Sequence, residues 1–235
     1  MNYFQVYKKL QLYPTFNLDI LAWILGKDKD YTKVYLNRLL KRKLVFKLQR
    51  NVYTIQEDPL IVASRIIWPS YISLWSALRY HNLTEQLPNE INVITTQMKS
   101  RRYIEYMETK IVFNHIKPIY FFGFNKIHVK GFEVFMGEAE KALLDAILLK
   151  RISLAEIYSM IIENTKDLSL EKLLSYALRM KNKGLAKRIG WILDSIGYRE
   201  ADRLLPLIYK TFIPLDYSKP AKGKKDEKWG VIVNI

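Results

Sequence analysis

The chain of 235 residues contains no cysteine. This absence excludes a disulfide scaffold, a thiolate zinc site and a cysteine nucleophile, and it is typical of the reducing cytoplasm. The nine glycines form no phosphate-binding loop, and the three histidines lie far apart without the spacing of metal ligands. We therefore expect no catalytic residues, no metal site and no cofactor, in a protein that is not an enzyme.

Long apolar runs are also missing. The longest uncharged run, residues 66–78, is shorter than the roughly 20 apolar residues of a membrane span and includes Pro69. The N-terminal residues lack the charged and apolar blocks of a signal peptide. These features predict a soluble, cytoplasmic protein without a membrane partner.

Acidic side chains are few relative to basic ones. The chain has 38 Lys and Arg against 23 Asp and Glu, a formal net charge of +15. Such a charge attracts polyanions, nucleic acid first and an anionic membrane surface second, although a lysine-rich proteome gives the same balance. Residues 1–56 hold eleven of the basic side chains and only three acidic ones. A lysine-rich proteome alone does not predict that concentration. The local excess of positive charge therefore favours nucleic acid as the partner.

The first 56 residues show the pattern of three helices and a hairpin. Asn17 and Asp30 are suitable N-cap residues, Gly26 is a suitable helix end, and Asn51 tolerates the backbone of a tight turn. The predicted helices and strands are residues 3–12, 18–25, 31–43, 44–48 and 52–55. Two helices, a short turn, a third helix and a hairpin are the order of a winged helix-turn-helix. We therefore predict such a DNA-binding domain over residues 1–56.

A second domain is predicted over residues 57–235, after the boundary signal Glu57-Asp58-Pro59. Residues 60–68 and 70–81 are predicted as helices and residues 90–95 as a strand. Further β-rich segments follow up to residue 136, and residues 138–197 are predicted to be helical with two breaks. The fold class expected for the whole chain is α+β, with a mixed α/β second domain whose C-terminal part is helical.

The third helix presents a basic face opposite its leucines. At 100° per residue, Leu36, Leu39 and Leu40 lie together on one side, and no acidic residue follows Asp30 on the other. The exposed side mixes phosphate-binding cations with Asn37, which can read a base edge, and Val34, which can contact a thymine methyl group. An ordinary solvated helix face is the alternative. The predicted DNA-contacting residues are Tyr31, Lys33, Val34, Asn37, Arg38, Lys41 and Arg42.

Two other groups of polar side chains are candidates for nucleic-acid contact. The hairpin tip would approach a flanking minor groove through Lys47, Gln49 and Arg50. Residues 179–188 contain five cations and no acid, which predicts either a second phosphate-binding surface, an antitoxin surface or a plain solvated face. These cations are Arg179, Lys181, Lys183, Lys187 and Arg188.

Four phrases beyond residue 56 resemble those of one family, the AbiEi-type antitoxins of type IV toxin–antitoxin operons. They are Tyr71 to Leu78 (YISLWSAL), Glu140 to Ala146 (EKALLDA), Ala186 to Leu193 (AKRIGWIL), and Pro214-Leu215-Asp216 followed by Lys228 to Asn234 (KWGVIVN). The four occur in the family's order behind a predicted winged helix, and the resemblance as a whole extends over nearly the whole chain. Where members often carry glycine before the wing and in its turn, this chain has Lys43 and Asn51.

The resemblance implies an autorepressor of the operon that it shares with a nucleotidyltransferase-like toxin, bound to inverted repeats in double-stranded operator DNA. It also implies a C-terminal antitoxin domain that need not bind the toxin directly. Two alternatives remain open. One is an interaction module that neutralises a partner toxin by direct contact, and the other is an RNA- or tRNA-binding protein.

Overall fold

The computed structural model describes residues 2–87, 89–99 and 101–235. Within these residues it confirms a mixed α+β fold class, with helices and three separate sheets. The chain divides into two compact units. The first consists of residues 1–72, 89–115 and 126–135, and the second of residues 73–88, 116–125 and 136–235.

The first unit begins with three helices, and a side-chain cap starts each one. The helices are α1 (Tyr3–Leu10), α2 (Leu18–Leu25) and α3 (Lys29–Lys41), capped by Asn2, Asn17 and Asp28. Gly26 ends α2 in the left-handed conformation, as the sequence predicts. The prediction that Asp30 caps α3 was wrong. Asp28 accepts the Tyr31 N–H at 2.8 Å, which also lowers the pKa of that carboxyl group.

An antiparallel hairpin follows the helices, formed by β1 (Phe46–Gln49) and β2 (Val52–Thr54). Asn51 has φ 56° in its turn, the left-handed backbone expected there, and its Oδ1 accepts the Leu18 N–H at 3.0 Å. Backbone hydrogen bonds in both directions join Phe16 to Tyr53 at 2.8 Å. The hairpin is therefore attached to the start of α2 at two points.

One apolar cluster holds the three helices and the hairpin together. Its members come from each helix and from the segments beside the strands, so no helix is packed without the others. The buried residues are Val6, Leu10, Phe16, Leu21, Ile24, Leu36, Leu39, Val45 and Ile55.

A six-stranded sheet lies mainly in the first unit. Its strands run in the order β5-β6-β4-β3-β8-β7, with β4 parallel to β6 and β5 antiparallel to it. The short helix α4 (Pro59–Ala63) contacts β4 and β6. The strands are β3 (Ser70–Ser73), β4 (Glu90–Thr95), β5 (Tyr103–Tyr106), β6 (Thr109–His115), β7 (Phe124–Val129) and β8 (Phe132–Gly137).

Two predicted helices of this region were wrong or too long. Residues 60–68 form only the short α4, and the first four residues of the predicted helix 70–81 form β3. All four residues of β3 are buried. A strand buried on both faces has no alternation of polar and apolar residues, so its pattern does not distinguish it from a buried helix. The strand over residues 90–95 is confirmed as predicted.

The division into units differs from the predicted boundary between residues 56 and 57. In the first unit, Tyr106 of β5 donates a hydrogen bond through its hydroxyl group to the Gln56 carbonyl oxygen and packs edge-on against Phe46, with ring centroids 5.7 Å apart. The N-terminal helices and most of the sheet thus belong to one compact body. That residues 1–56 form a domain of their own stays a prediction.

The second unit is mainly helical. Its helices are α5 (Trp75–Tyr80), α6 (Ala139–Leu149), α7 (Leu154–Glu163), α8 (Leu170–Met180) and α9 (Lys183–Ser195), with 3-10 helices at Pro118–Tyr120 and Arg199–Leu207. A three-stranded sheet has the order β10-β11-β9, formed by β9 (Ile213–Pro214), β10 (Lys224–Asp226) and β11 (Val231–Val233). Among the described residues, no helix is long and apolar enough to cross a membrane.

Buried polar contacts in the second unit join two of the family-like phrases. Ser73 donates to Asp145 Oδ2 at 2.8 Å, and Lys141, fully buried, forms an ion pair with the other carboxylate oxygen. Burial lowers the pKa of Lys141, and Asp145 opposes that shift. Removing one partner of a buried ion pair leaves an uncompensated buried charge, which is strongly destabilising. These two phrases therefore contribute to the stability of the second unit.

A close helix contact joins the other two phrases. Trp229 is fully buried over Gly190 of α9, and a Cβ atom built on that glycine would lie 2.0 Å from the indole Cζ3. Asp216 and Asn234 are joined as well, since the Asp216 N–H donates to Asn234 Oδ1 at 2.7 Å and Asn234 Nδ2 donates back to the Asp216 carbonyl oxygen at 2.9 Å. The terminal phrase therefore packs against α9 within the second unit.

We predict that Gly190→Ala destabilises the protein by about 1–3 kcal/mol or more, because the indole ring must move to admit the methyl group. Gly184→Ala is the matched control, since it lies in the same helix and its added Cβ would meet nothing closer than Arg188 Nη1 at 3.3 Å. The control should stay within about 1 kcal/mol of wild type. Urea unfolding of both variants measures the difference, and equal stabilities would contradict this account of Gly190.

A second prediction concerns Lys43, which has φ 57° after the end of α3. Hydrogen bonds from Lys43 N to Leu40 O and from Leu44 N to Leu39 O close the helix around it. A side chain in this conformation costs about 1 kcal/mol, which glycine avoids. Lys43→Gly should therefore raise the free energy of unfolding by about 0.5–1 kcal/mol.

Lys43→Ala is the control for this prediction, because it removes the same charge but keeps the Cβ atom. Denaturant unfolding should place the alanine variant close to wild type. A glycine variant no more stable than the alanine variant would show that the left-handed backbone is not the cause.

Candidate nucleic-acid interface

The outward face of α3 is exposed where the sequence predicts it. Leu36 and Leu39 are buried, 3% exposed each, and Thr32 is fully buried with its hydroxyl group donating to the Asp28 carbonyl oxygen at 2.7 Å. The opposite face is open to solvent, and Val34 is 52% exposed there. The exposed predicted residues are Tyr31, Lys33, Val34, Asn37, Arg38, Lys41 and Arg42.

Two of these side chains already have partners within the first unit. Lys33 forms an exposed ion pair with Asp30 at 2.9 Å, and the ring of Tyr31 stacks on that of Tyr35 with centroids 6.4 Å apart. An exposed pair of this kind is worth little and can be exchanged for a phosphate. The central residues of the face are therefore those toward the middle and end of the helix: Val34, Asn37, Arg38 and Lys41.

The turn between α2 and α3 sets the angle of the third helix. It has only three residues, because Gly26 ends one helix and Asp28 caps the next. An ion pair between Lys29 and Asp19 at 2.7 Å lies between the two helices. Glycine is needed at position 26, where φ is 63°.

At the hairpin, Lys47 and Arg50 are exposed as predicted, while Gln49 is not free. Gln49 Nε2 donates to the Ile66 carbonyl oxygen at 3.1 Å, and Gln49 Oε1 accepts from Lys99 Nζ at 2.8 Å. Both ends of the amide are thus engaged within the first unit, and the side chain is only partly exposed. Its predicted role as a DNA contact does not fit this arrangement, and it instead anchors the hairpin.

A groove lies beside the hairpin, between β1 and the residues before and within β5. Two adjoining depressions share Lys47, Leu48 and Arg101 as lining residues. The other charged residues lining them are Arg50, Lys99, Arg102 and Glu105. The charge pattern of the sequence did not single out Lys99, Arg101 or Arg102 as DNA contacts. The adjacent pair Arg101-Arg102 was the available signal.

Lys99 is the least exposed cation of this groove. Its Nζ lies 3.7 Å from the centroid of the Phe113 ring, and the side chain is partly buried. Burial lowers the pKa of Lys99 from its usual value to about 8. The ammonium group lies over the face of the Phe113 ring and donates a hydrogen bond to the Gln49 amide oxygen. These two favourable contacts take the place of water.

The predicted second basic surface is not a continuous surface. Lys187 and Arg188 are 1% and 7% exposed, and backbone carbonyl oxygens receive their hydrogen bonds. Lys187 donates to Thr211 O and Gly230 O, while Arg188 donates to Gly184, Pro214 and Leu215 carbonyl oxygens at 2.9–3.1 Å. These two cations hold the terminal sheet against α9, and sequence alone did not reveal that their charges are internal.

The remaining three members of that predicted surface are exposed. Lys181 and Lys183 lie at the junction of α8 and α9, and the Arg179 guanidinium group lies 3.9 Å from the centroid of the Phe122 ring. Arg179 therefore makes a cation–π contact within the second unit. Two lysines at a helix junction do not form a site comparable to α3.

Comparison with known proteins gives no independent assignment. No model of a known protein family matches the chain. No curated protein matches it either.

We predict that Lys99 titrates near pH 8, below the usual lysine value, because its ammonium group is partly desolvated. Its folded pKa lies below the unfolded value, so its protonation opposes folding at low pH, and this penalty is relieved as the pH rises from about 8 toward 10.5. Nuclear magnetic resonance of the lysine side-chain nitrogens measures the titration. A Lys99 midpoint near the ordinary lysine value of 10.5 would contradict the prediction.

Proposed function

We propose that the protein is a sequence-specific DNA-binding transcription regulator whose first three helices and hairpin act as a winged helix-turn-helix. The observation that carries the proposal is the exposed basic face of α3, which follows α2 after a three-residue turn. The hairpin after α3 takes the place of the wing, and its attachment to Phe16 and Leu18 is consistent with a rigid module. This order and exposure are those of a major-groove reader.

Each residue of the proposed reading face has a chemical role. The Asn37 amide can pair with the donor and acceptor edge of an adenine, and Val34 can contact a thymine methyl group. Arg38 and Lys41 bind phosphates and fix the position of the helix on the duplex. Lys47 and Arg50 on the hairpin would approach the flanking minor groove, where the negative potential favours basic side chains.

We further propose that regulation serves a toxin–antitoxin operon, in the cytoplasm and without catalysis by this chain. Support comes from the four phrases that resemble AbiEi-type antitoxins. That resemblance implies autorepression of an operon shared with a nucleotidyltransferase-like toxin. Binding of two modules to an inverted repeat, about one helical turn apart, would block transcription initiation by steric exclusion. The second unit would then supply the antitoxin function, whose target the resemblance does not fix.

The proposal predicts that Arg38→Ala and Lys41→Ala each weaken operator binding by about 1–3 kcal/mol, because each removes a phosphate or base contact. A gel-shift titration at fixed salt, with a duplex selected by the full-length protein from a randomised pool, measures the loss. Lys166→Ala is the matched control, because Lys166 is exposed in the second unit and its replacement removes the same charge.

Unchanged affinity in both α3 variants would refute the proposed reading face. Failure of the wild-type protein to select any sequence from the pool would refute the regulator itself. Preferred binding of tRNA over duplex DNA would support the RNA-binding alternative, and capture of the neighbouring gene product without DNA binding would support direct toxin neutralisation.

A further inference from the structure

We propose that the groove between the hairpin and β5 is a second DNA-contacting surface, which binds the phosphate backbone of the duplex outside the segment read by α3. The inference rests on the proposed function and extends it beyond residues 1–56. The cations that would contact phosphates are Lys47, Arg50, Lys99, Arg101 and Arg102.

The charge of the groove indicates a polyanion. Among its described lining residues, five are basic and Glu105 alone is acidic. Within residues 2–87, 89–99 and 101–235, no salt bridge joins any of these five cations to a carboxylate. Cations without a carboxylate partner are available to bind an anionic ligand. A row of phosphates spaced along a duplex is a ligand that several separated cations can bind at once.

The chemistry of the groove indicates phosphate contact rather than base reading. Its exposed side chains are mainly arginine and lysine, and arginine binds phosphate oxygens in a bidentate manner. Gln49, the lining amide suited to a base edge, is engaged by Ile66 and Lys99. The groove therefore offers charge rather than a sequence-reading group beside the hairpin, as expected of a surface that positions a duplex.

The two walls of the groove are joined before any ligand binds. The Gln49–Lys99 hydrogen bond joins the hairpin wall to the opposite wall at 2.8 Å. Below it, Phe46 of β1 packs against Tyr106 of β5. Because the two walls are fixed to each other, binding does not have to order them, which lowers the entropic cost of association.

The groove also adjoins the proposed reading module. Lys47 and Arg50 belong to the hairpin that follows α3 and at the same time line the groove. Arg101, Arg102 and Tyr103 then extend the basic surface onto β5, an end strand of the six-stranded sheet. The Tyr103 ring is 48% exposed, with Lys110 Nζ 4.4 Å from its centroid. A duplex that reaches the hairpin could thus continue along the edge of the sheet.

The test compares R101Q/R102Q with K219Q/K222Q, which removes the same charge from exposed positions of the second unit. Both are titrated, by fluorescence anisotropy over a salt series, against a duplex selected by the full-length wild-type protein. One duplex carries only the selected core, and the other carries about ten further base pairs, one helical turn, on each side.

On the extended duplex, R101Q/R102Q should weaken binding several-fold and reduce the salt slope by about two, since each lost phosphate contact removes about 0.9. The core duplex should bind this variant and the wild type alike, and K219Q/K222Q should match the wild type on both. R101K/R102K, which keeps the charge, should recover most of the slope. Thermal unfolding of each variant confirms that the comparison is between folded proteins.

An unchanged slope for R101Q/R102Q on the extended duplex would overturn the inference. A loss of the same size on the core duplex, or in K219Q/K222Q, would overturn it as well. In each of these cases Arg38→Ala would still weaken duplex binding if the proposed regulator is right. Failure of that regulator gives a different pattern, in which no sequence is selected and Arg38→Ala has no effect.

Discussion

The packing of Leu36 and Leu39 into the apolar cluster of the first unit determines which side of α3 faces solvent. Both leucines belong to a buried cluster that includes residues of α1, α2 and the segments beside the hairpin strands, so the helix cannot rotate without exposing them. A fully buried leucine contributes about 1.5–3 kcal/mol relative to an exposed one. The basic residues on the opposite side have no comparable constraint, and their exposure follows from the burial of the leucines.

The hairpin depends on a different set of contacts, most of them polar. Asn51 reaches back to the N-terminus of α2, Phe16 pairs with Tyr53, and Gln49 bridges to Ile66 and Lys99. Each is a single hydrogen bond or a short bridge, worth about 1 kcal/mol. Together they define one orientation for a hairpin that would otherwise be marginal as an isolated pair of short strands.

Much of the first unit could be predicted from local signals, because caps and periodicity are properties of neighbouring residues. Asn17, Gly26 and Asn51 have the roles expected of them. The N-cap of α3 is Asp28 and not the predicted Asp30, because either aspartate satisfies the same sequence rule for helix N-caps. Long-range pairing was not predictable in this way. The buried strand at residues 70–73 and the internal hydrogen bonds of Lys187 and Arg188 depend on segments far along the chain, whose approach no local pattern encodes.

The contact of Phe46 with Tyr106 has a consequence for how the chain can be divided. A fragment ending at residue 56 would leave an aromatic ring on the hairpin facing water, along with the Gln49 amide now separated from both of its partners. The hairpin of such a fragment would also lack the bridges to Ile66 and Lys99 that fix its orientation. The hairpin within the first 56 residues is therefore stabilised in part by Ile66, Lys99 and Tyr106, which such a fragment lacks.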